Sequence, residues 1–349
     1  MFFASDNTGP VHPAIMAAIG DANEGYSTSY GDDQIMAGVQ DQLRDIFAAP
    51  DAVVYLVPTG TASNSLALAT LCPPYATTFC TAQSHIQQDE CNAPEFYSGG
   101  AKLTLVDSTD AKMTPETLRR ALSGEENRGI HGPKRGPVSI SNVTELGTVY
   151  SAAELADLCA VAGEFDLPVH LDGARFANAV VATGASPADM SVKAGIDVLS
   201  FGATKNGAMG VEAVVFFDPQ HGREFEYRRK RGAHLFSKHR FLSAQMSAYL
   251  QDGLWLDLAH KANAATARLV QGLRAISDVR ILHQPDANIV FASWPRGLHR
   301  KLLQSGAVYF MEGRLDAGDP DEHLTARLVC DWSATARNTD RFLALMQAG

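Results

Sequence analysis

Pro168–Asn178 (PVHLDGARFAN) and Asp197–Gly207 (DVLSFGATKNG) are the two stretches that decide the fold of this 349-residue chain. Each begins with a short apolar run of the kind that forms a buried parallel strand. Each run ends on polar residues, Asp172 and Arg175 in the first and Lys205 in the second. Because open α/β sheets bind ligands at the carboxyl ends of their strands, we expect these side chains to meet at one sheet edge.

A carboxylate and a lysine at two neighbouring strand ends suit the cofactor pyridoxal 5'-phosphate. Lys205 would hold its aldehyde as a Schiff base, and Asp172 would keep the pyridine nitrogen protonated, so that the ring acts as an electron sink. A buried Asp–Lys pair, or two solvated loop ends, would leave the same pattern in the sequence. These two stretches alone therefore leave both interpretations open.

Length and composition narrow the class of protein. The length exceeds that of a single core and predicts a large domain, residues 1–250, and a smaller one, residues 251–349. The net charge of −10 argues against an extended nucleic-acid surface. Five scattered cysteines without a C-x-x-C pair predict neither a disulfide framework nor a metal site, and suit a reducing cytosol. With no signal peptide and no apolar run near the ~20 residues of a membrane span, we predict a soluble cytoplasmic protein.

A phosphate site is predicted near Gly60. The β-branched run Val53–Val57 predicts a strand, which leads into the turn Pro58–Asn64 and then a helix over Ser65–Leu71. Backbone N–H groups at such a helix start, here those of Gly60 and Thr61, bind anions. The motif is neither a Walker loop nor G-x-G-x-x-G, so it suits a single phosphate better than a nucleotide. A plain capped helix is the alternative.

Further along, strands and helices alternate, which indicates a parallel-rich sheet wrapped by helices. His85 follows the predicted strand Thr77–Thr81 and so lies at the same edge as Lys205. A lone histidine is more often a satisfied polar residue, but this position favours a catalytic one. The loop Tyr26–Asp33 is either a plain surface loop or a functional one. The four basic residues Arg228–Arg231 are predicted to form a solvated helix face.

Taken together, these residues resemble the low-specificity L-threonine aldolases, pyridoxal-phosphate enzymes of fold type I (aspartate aminotransferase-like). The resemblance covers nearly the whole chain. The motifs that carry it are Ser5-Asp6, Tyr30-Gly-Asp-Asp33, Pro58-Thr-Gly-Thr-x-x-Asn64, Ser84-His-Ile86, His170-Leu-Asp-Gly-Ala-Arg-x-x-Asn178 and Arg327-Leu-Val329. It implies a large domain with a mostly parallel seven-stranded sheet wrapped by helices, plus a smaller C-terminal α+β domain.

The resemblance also implies an activity, namely cleavage of L-threonine, L-allo-threonine and related β-hydroxy-α-amino acids, including phenylserine, to glycine and an aldehyde. The implied catalytic residues are Lys205, His85 and Asp172, with His85, directly or through a water, as the base for the β-hydroxyl proton. The implied cofactor-binding residues are Gly60, Thr61, His85, Asp172, Arg175, Thr204 and Lys205. The implied substrate-binding residues are Ser5, Tyr30, Thr144, Arg175 and Arg327.

The same resemblance implies a homo-oligomer, a dimer or a dimer of dimers (homotetramer), in which loops reach a neighbour's cofactor. The loop of Tyr30 and the basic segment Arg228–Arg240 are the candidates. No nucleic acid or membrane partner is expected. The chain departs from the family where Asn142-Val-Thr-Glu145 replaces N-T-H-N, so a histidine proposed to touch the substrate hydroxyl is missing. With Thr144 in its place, we expect both L-threonine epimers to be cleaved.

Three other functions fit parts of the pattern. A fold-type-I amino-acid racemase, alanine racemase-like, has the same cofactor set but needs a second proton donor, for which Tyr30 is available. A β-eliminating lyase needs a leaving-group pocket. A binding or scaffold protein on a former enzyme fold would have no use for the intact set of Lys205, Asp172, Arg175 and His85.

Overall fold

The computed structural model describes residues 1–348, and these form thirteen strands and thirteen α-helices. The strands are β1 (Val53–Val57), β2 (Ala76–Thr81), β3 (Lys102–Val106), β4 (Ser108–Thr109), β5 (Lys112–Met113), β6 (Lys134–Ser141), β7 (Val169–Gly173), β8 (Val198–Gly202), β9 (Glu212–Phe216), β10 (Arg280–Ile281), β11 (Ile289–Pro295), β12 (Phe310–Met311) and β13 (His323–Val329). The helices are α1 (Pro13–Asp21), α2 (Gln34–Ile46), α3 (Gly60–Leu71), α4 (His85–Gln88), α5 (Ala93–Ser98), α6 (Pro115–Gly124), α7 (Ala152–Gly163), α8 (Phe176–Thr183), α9 (Gly222–Arg231), α10 (Arg240–Leu250), α11 (Leu254–Arg274), α12 (Arg296–Gln304) and α13 (Ala336–Gln347).

A seven-stranded sheet forms the centre of the molecule, in the order β1-β9-β8-β7-β6-β2-β3. β9 runs antiparallel to both of its neighbours, and the remaining pairs are parallel. Helices cover both faces of this sheet. On one face Val198 packs with Leu66 of α3 and Phe225 of α9. The next residue, Leu199, points to the other face and packs in the cluster that contains Val39 of α2. The prediction of a mostly parallel seven-stranded sheet wrapped by helices is confirmed.

The carboxyl ends of the parallel strands lie at one edge of this sheet. β7 and β8 are buried along their whole length and pair in register, with Asp172 opposite Ser200. β8 ends just before Lys205, and β2 ends just before His85. Glu145 follows β6 at the same edge. The strand order therefore collects residues far apart in sequence.

A smaller antiparallel sheet, β10-β11-β13-β12, lies towards the C-terminus. The long helix α11 joins the two cores, since Trp255 and Leu258 pack in the core of the large sheet and Leu269 and Leu273 in that of the small one. The smaller C-terminal domain of the predicted fold is thus present. The predicted division between residues 250 and 251 stays a prediction.

The N-terminal segment Met1–Asp6 connects the small sheet to the edge of the large one. The Phe3 N–H donates to Val308 O at 2.8 Å, and Phe3 O accepts from the Val329 N–H at 2.8 Å. The Phe3 ring is buried in the small core. A few residues later, Asp6 reaches Arg175.

Two predicted boundaries were wrong. Helix α3 begins at Gly60 and not at Ser65, because the Thr59 side chain accepts from the Ala62 N–H and caps the helix five residues earlier. The sequence also predicts a strand over Pro137–Val143, and in the structure this strand is Lys134–Ser141. In the described part of the chain, no helix combines the length and apolarity needed to cross a bilayer.

Candidate active site

Lys205 lies in a short 3-10 turn, Thr204–Asn206, directly after β8. A Cβ atom on Gly202 would overlap Ala174 O, so only glycine lets the ends of β7 and β8 approach this closely. Burial lowers the pKa of Lys205, and the charge of Arg175 lowers it further, while nearby carboxylates oppose the shift. The lysine is therefore more readily deprotonated than a surface lysine, as an amine nucleophile must be.

Asp172 is held as an acceptor at the end of β7. Its Oδ1 accepts from the Ala174 N–H at 3.0 Å and its Oδ2 from Asn64 Nδ2 at 2.8 Å. Burial would raise the pKa of Asp172, but His85, His170 and Lys205 outweigh it, and the pKa is lowered. The carboxyl is thus ionised at neutral pH.

The residues around Gly60 fit pyridoxal phosphate. Gly60 and Thr61 provide the first N–H groups of α3, which have no carbonyl partner inside the helix. A Cβ on Gly60 would meet nothing within 4 Å, so there is open space above the helix start. Asn64 Oδ1 is buried without a hydrogen-bond partner in residues 1–348. An anion site, a carboxylate and a lysine along one edge are the donor set this cofactor needs.

Among residues 1–348, no three His, Cys, Asp or Glu side chains are grouped so that they could hold a metal ion. The cavity at the cofactor residues is lined by Gly60, Asn64, His85, Ser141, Val143, Glu145, Asp172, Ala174, Arg175 and Lys205. It measures about 50 Å³. His85, Glu145, Arg175 and Lys205 also line a second, larger cavity.

His85 is oriented by a buried glutamate. Its Nδ1 lies 2.8 Å from Glu90 Oε1, and Glu90 also accepts from Asn64 Nδ2 at 2.9 Å and from Ser65 Oγ at 3.2 Å. The hydrogen bond to Glu90 raises the pKa of His85 despite burial. Asn64 bonds both Glu90 and Asp172, so histidine and aspartate belong to one network. The motif Pro58–Asn64 contains Asn64 without indicating this role, and Glu90 belongs to none of the motifs quoted above.

Arg175 is paired within the chain. Its Nε and Nη2 atoms donate to Asp6 at 2.6 and 2.9 Å, and Asn288 Nδ2 donates to the same carboxylate at 3.1 Å. Both side chains of the ion pair are largely buried. The sequence predicted Arg175 at the site but left Asp6 without a partner. Any anion that Arg175 binds therefore shares it with Asp6.

The larger cavity, of about 700 Å³, opens between the two sheets. Ser5, Arg175, Lys205 and Arg327 line it, together with the apolar side chains of Leu146, Phe291, Phe310 and Met311. Arg327 donates one long hydrogen bond, to Ala4 O at 3.4 Å, and forms no ion pair in the described part of the chain. It is a cation at the cavity wall that is available to an anionic ligand.

Glu145, and not Thr144, faces this site from the turn after β6. Glu145 Oε1 accepts from the His85 N–H at 2.8 Å and from Ser141 Oγ at 2.7 Å, and the residue lines both cavities. Thr144 is fully buried, and its hydroxyl lies 2.7 Å from that of Thr148. Thr144 therefore does not line the cavity, contrary to the expectation that it contacts the substrate. The sequence signal, a place shortly after a strand that ends at the ligand edge, is shared by Thr144 and Glu145 and does not distinguish them.

Other predicted residues lie apart from the cavity of Lys205 in the single chain. Tyr30 is half exposed beneath Lys230, whose Nζ lies 5.0 Å from the ring centroid, and it lines a separate cavity. Thr204 Oγ1 accepts from the Val211 N–H at 3.2 Å. The basic cluster is not uniformly solvated, because Arg229 is buried over the Tyr55 ring.

The chain is similar to known proteins over most of its length. Residues 3–294 match the beta-eliminating lyase family. The chain is 42% identical, over 83% of each chain, to the low specificity L-threonine aldolase of Pseudomonas aeruginosa. It is 39% identical to that of Pseudomonas sp. (strain NCIMB 10558), over 95% of this chain and 92% of the relative. The Leishmania major threonine aldolase structure superposes with a TM-score of 0.92 at 26% identity, covering 99% of this chain and 98% of that one.

Proposed function

The chain belongs to the beta-eliminating lyase family, and we propose that it acts as a low-specificity L-threonine aldolase. It would cleave L-threonine, L-allo-threonine and related β-hydroxy-α-amino acids, phenylserine among them, to glycine and an aldehyde. One observation carries the proposal: Lys205, His85 and Arg327 line a single cavity that adjoins Asp172. Lys205 would supply the amine that binds the cofactor, His85 would carry a proton, and Arg327 would bind the substrate carboxylate. All three residues line the same cavity.

Pyridoxal phosphate, when bound, withdraws the electron pair of the bond that breaks at the substrate's Cα. Lys205 would hold it through Nζ, helped by a pKa lowered by burial. Asp172 would face the ring nitrogen and keep a proton there, since an ionised carboxylate favours the protonated form of a neighbouring base. Gly60 and Thr61 would bind the phosphate through their N–H groups. Thr204 is the remaining proposed contact.

The substrate carboxylate would be bound by Arg327 and Arg175, with Ser5 beside them. A planar guanidinium holds a carboxylate at two points, which fixes the amino acid about Cα. Such a clamp would fix the orientation of the bonds at the substrate's Cα and so select the bond that is broken. Arg175 is already shared with Asp6, so Arg327 supplies most of the uncompensated charge.

His85 is proposed as the third catalytic residue. Its ring would lie against the face of the cofactor and exchange a proton with the substrate, directly or through a water. Glu90 fixes the ring through Nδ1 and raises its pKa, so that His85 holds a proton over more of the neutral range. This Glu–His pair supports a proton-transfer role over a purely structural one.

We further propose a cytoplasmic homo-oligomer, a dimer or a dimer of dimers, in which Tyr30 and the segment Arg228–Arg240 complete a neighbour's site. In the single chain, Tyr30 and Lys205 line different cavities. We therefore assign Tyr30 to the active site of a neighbouring subunit. All five cysteines are free, as suits a reducing compartment. A fully active monomer in analytical ultracentrifugation at micromolar concentration would overturn the shared site.

One assay tests the activity. The protein with cofactor is incubated with L-threonine, L-allo-threonine, phenylserine and L-alanine, and glycine, aldehyde, pyruvate and D-alanine are measured. We expect glycine and aldehyde in equal amounts from the three hydroxy amino acids. D-alanine without glycine would indicate a racemase, and a 2-oxo acid without glycine would indicate a β-eliminating lyase.

A further inference from the structure

Glu145 has an unpaired carboxylate oxygen beside the cavities of the site. Its Oε1 atom accepts hydrogen bonds from the His85 N–H and from Ser141 Oγ. Its Oε2 atom is buried and has no hydrogen-bond partner in residues 1–348. Buried polar atoms nearly always have a partner, so a ligand that fills the cavity is expected to supply one. A substrate hydroxyl is such a group.

We propose that Glu145 takes the proton of the substrate's β-hydroxyl group, an inference that rests on the aldolase function proposed above. The O–H bond breaks and its proton passes to Oε2. The electron pair of that bond becomes the second bond of the aldehyde carbonyl, and the Cα–Cβ bond breaks with its pair left on Cα. A second proton then forms the new Cα–H bond of glycine. No oxidant or reductant is needed.

His85 has only one ring nitrogen free for these transfers. Its Nδ1 is engaged by Glu90 at 2.8 Å, which leaves Nε2. One nitrogen can serve one of the two transfers, and the other transfer needs a second group. The geometry therefore divides the work: Glu145 accepts from the hydroxyl, and His85 donates towards Cα.

Glu145 has the properties of such a base. Burial raises the pKa of Glu145 above its ordinary value, and a carboxylate with a raised pKa is a stronger base. Two hydrogen bonds to Oε1 keep the carboxyl from rotating away. The titratable groups that act on it or share its cavities are Cys80, His85, Asp89, Tyr150, Asp172, Arg175, Lys205, Glu312 and Arg327. Because the base must be ionised, turnover falls as the pH drops through its pKa.

The decisive variant is Glu145→Gln, which keeps an acceptor for the His85 N–H but cannot take a proton. Two reactions are compared: aldol cleavage, and exchange of the glycine Cα hydrogen in D₂O, which involves no hydroxyl group. We expect cleavage to fall by roughly 10²–10⁴-fold, while exchange stays within a few-fold of wild type. His85→Gln should lower both rates. The exposed Glu116→Gln is the matched control and should change neither.

Infrared spectroscopy supplies a readout that does not depend on turnover. The holoenzyme without substrate should show a carboxyl band that titrates above the range of ordinary glutamates and that Glu145→Gln removes. An equal loss of cleavage and exchange in Glu145→Gln would mean that Glu145 only positions His85, and unchanged cleavage would exclude any role as base. Either outcome overturns the proposal.

If Glu145→Gln does not fold, the wild-type enzyme provides the test. The acidic limb of the kcat profile for cleavage should then be absent from glycine exchange, and the same limb in both reactions would contradict the assignment. A wild-type protein that neither cleaves threonine nor exchanges glycine would instead refute the aldolase function. The two failures are thus distinguishable.

Discussion

The substitution Asp6→Asn tests the buried ion pair that ties the N-terminal segment to the site. Asp6 accepts both guanidinium bonds of Arg175, at 2.6 and 2.9 Å, and a third bond from Asn288 at 3.1 Å. An amide of the same shape has only one acceptor atom. It must turn its NH₂ group towards one of these donors, and it leaves the buried charge of Arg175 without its closest partner.

The expected loss follows from this geometry. Removing one member of a buried pair costs about 3–5 kcal/mol, because the other charge stays desolvated. The amide keeps one acceptor, and Asp172 and Glu145 still attract Arg175, so we expect the lower end, about 3 kcal/mol. At about 2.1 cal/mol/K of unfolding entropy per residue, that corresponds to a fall in Tm of about 4 °C for a chain of this size.

Calorimetry of wild type and Asp6→Asn at one scan rate measures the difference. The exposed Asp189→Asn, which removes a surface partner of Lys193, is the control and should leave Tm unchanged within error. Burial would raise the pKa of Asp6, but Arg175, Lys205 and Asn288 outweigh it, and the pKa lies below its ordinary value. The stabilisation is therefore fully present above the unfolded pKa and is lost as the pH falls through the folded one. Equal Tm values at pH 7 would refute the reasoning.

Four further outcomes are expected. Asp172→Asn should fold but lower cleavage roughly 10- to 1,000-fold, because the ring nitrogen loses a carboxylate that shifts its pKa by ~1–3 units; turnover near wild type would contradict that role. Arg327→Ala should raise KM about 10- to 100-fold while the cofactor's absorption spectrum is retained, since it removes a charged hydrogen-bond donor to the substrate only. Thr144→Val should lower stability by about 1 kcal/mol yet leave the L-threonine to L-allo-threonine ratio of kcat/KM unchanged, because its hydroxyl bonds Thr148 and not the cavity. Burial raises the pKa of Glu212 to about 7, so wild type should lose stability as the pH rises from the unfolded pKa to that value, and Tm measured against pH should be flatter over this range for Glu212→Gln.

The sequence predicts well which residues meet at one edge of the large sheet, because strand ends are local signals. Apolar runs that stop at Asp172 and before Lys205 identify two buried parallel strands, and such strands have their carboxyl ends at one edge. The helix start at Gly60 was predicted too late, since Thr, Ser and Asn near a helix end favour turns as much as caps. Partners such as Asp6 for Arg175 were not predictable, because a pair 169 positions apart leaves no periodic trace.

Thr144 and Glu145 show a second limit. Adjacent residues in a turn point in directions that the backbone alone decides, and no pattern distinguishes them in the sequence. Motif comparison drew attention to Thr144, whereas it is Glu145 that contacts the His85 backbone and lines the site. Interpretations that depend on which of two neighbouring side chains enters a cavity need coordinates.

The Met1–Asp6 segment has a consequence for biosynthesis. Met1–Phe3 leave the ribosome more than 300 residues before their hydrogen-bond partners, Val308 and Val329. At about 5–20 residues per second, tens of seconds separate the two. During that time the large sheet can form around Lys205, while Phe3 has no small core to enter. This segment therefore docks long after it is synthesised, and a nascent chain that stops before β13 lacks the anchor that brings Asp6 to Arg175.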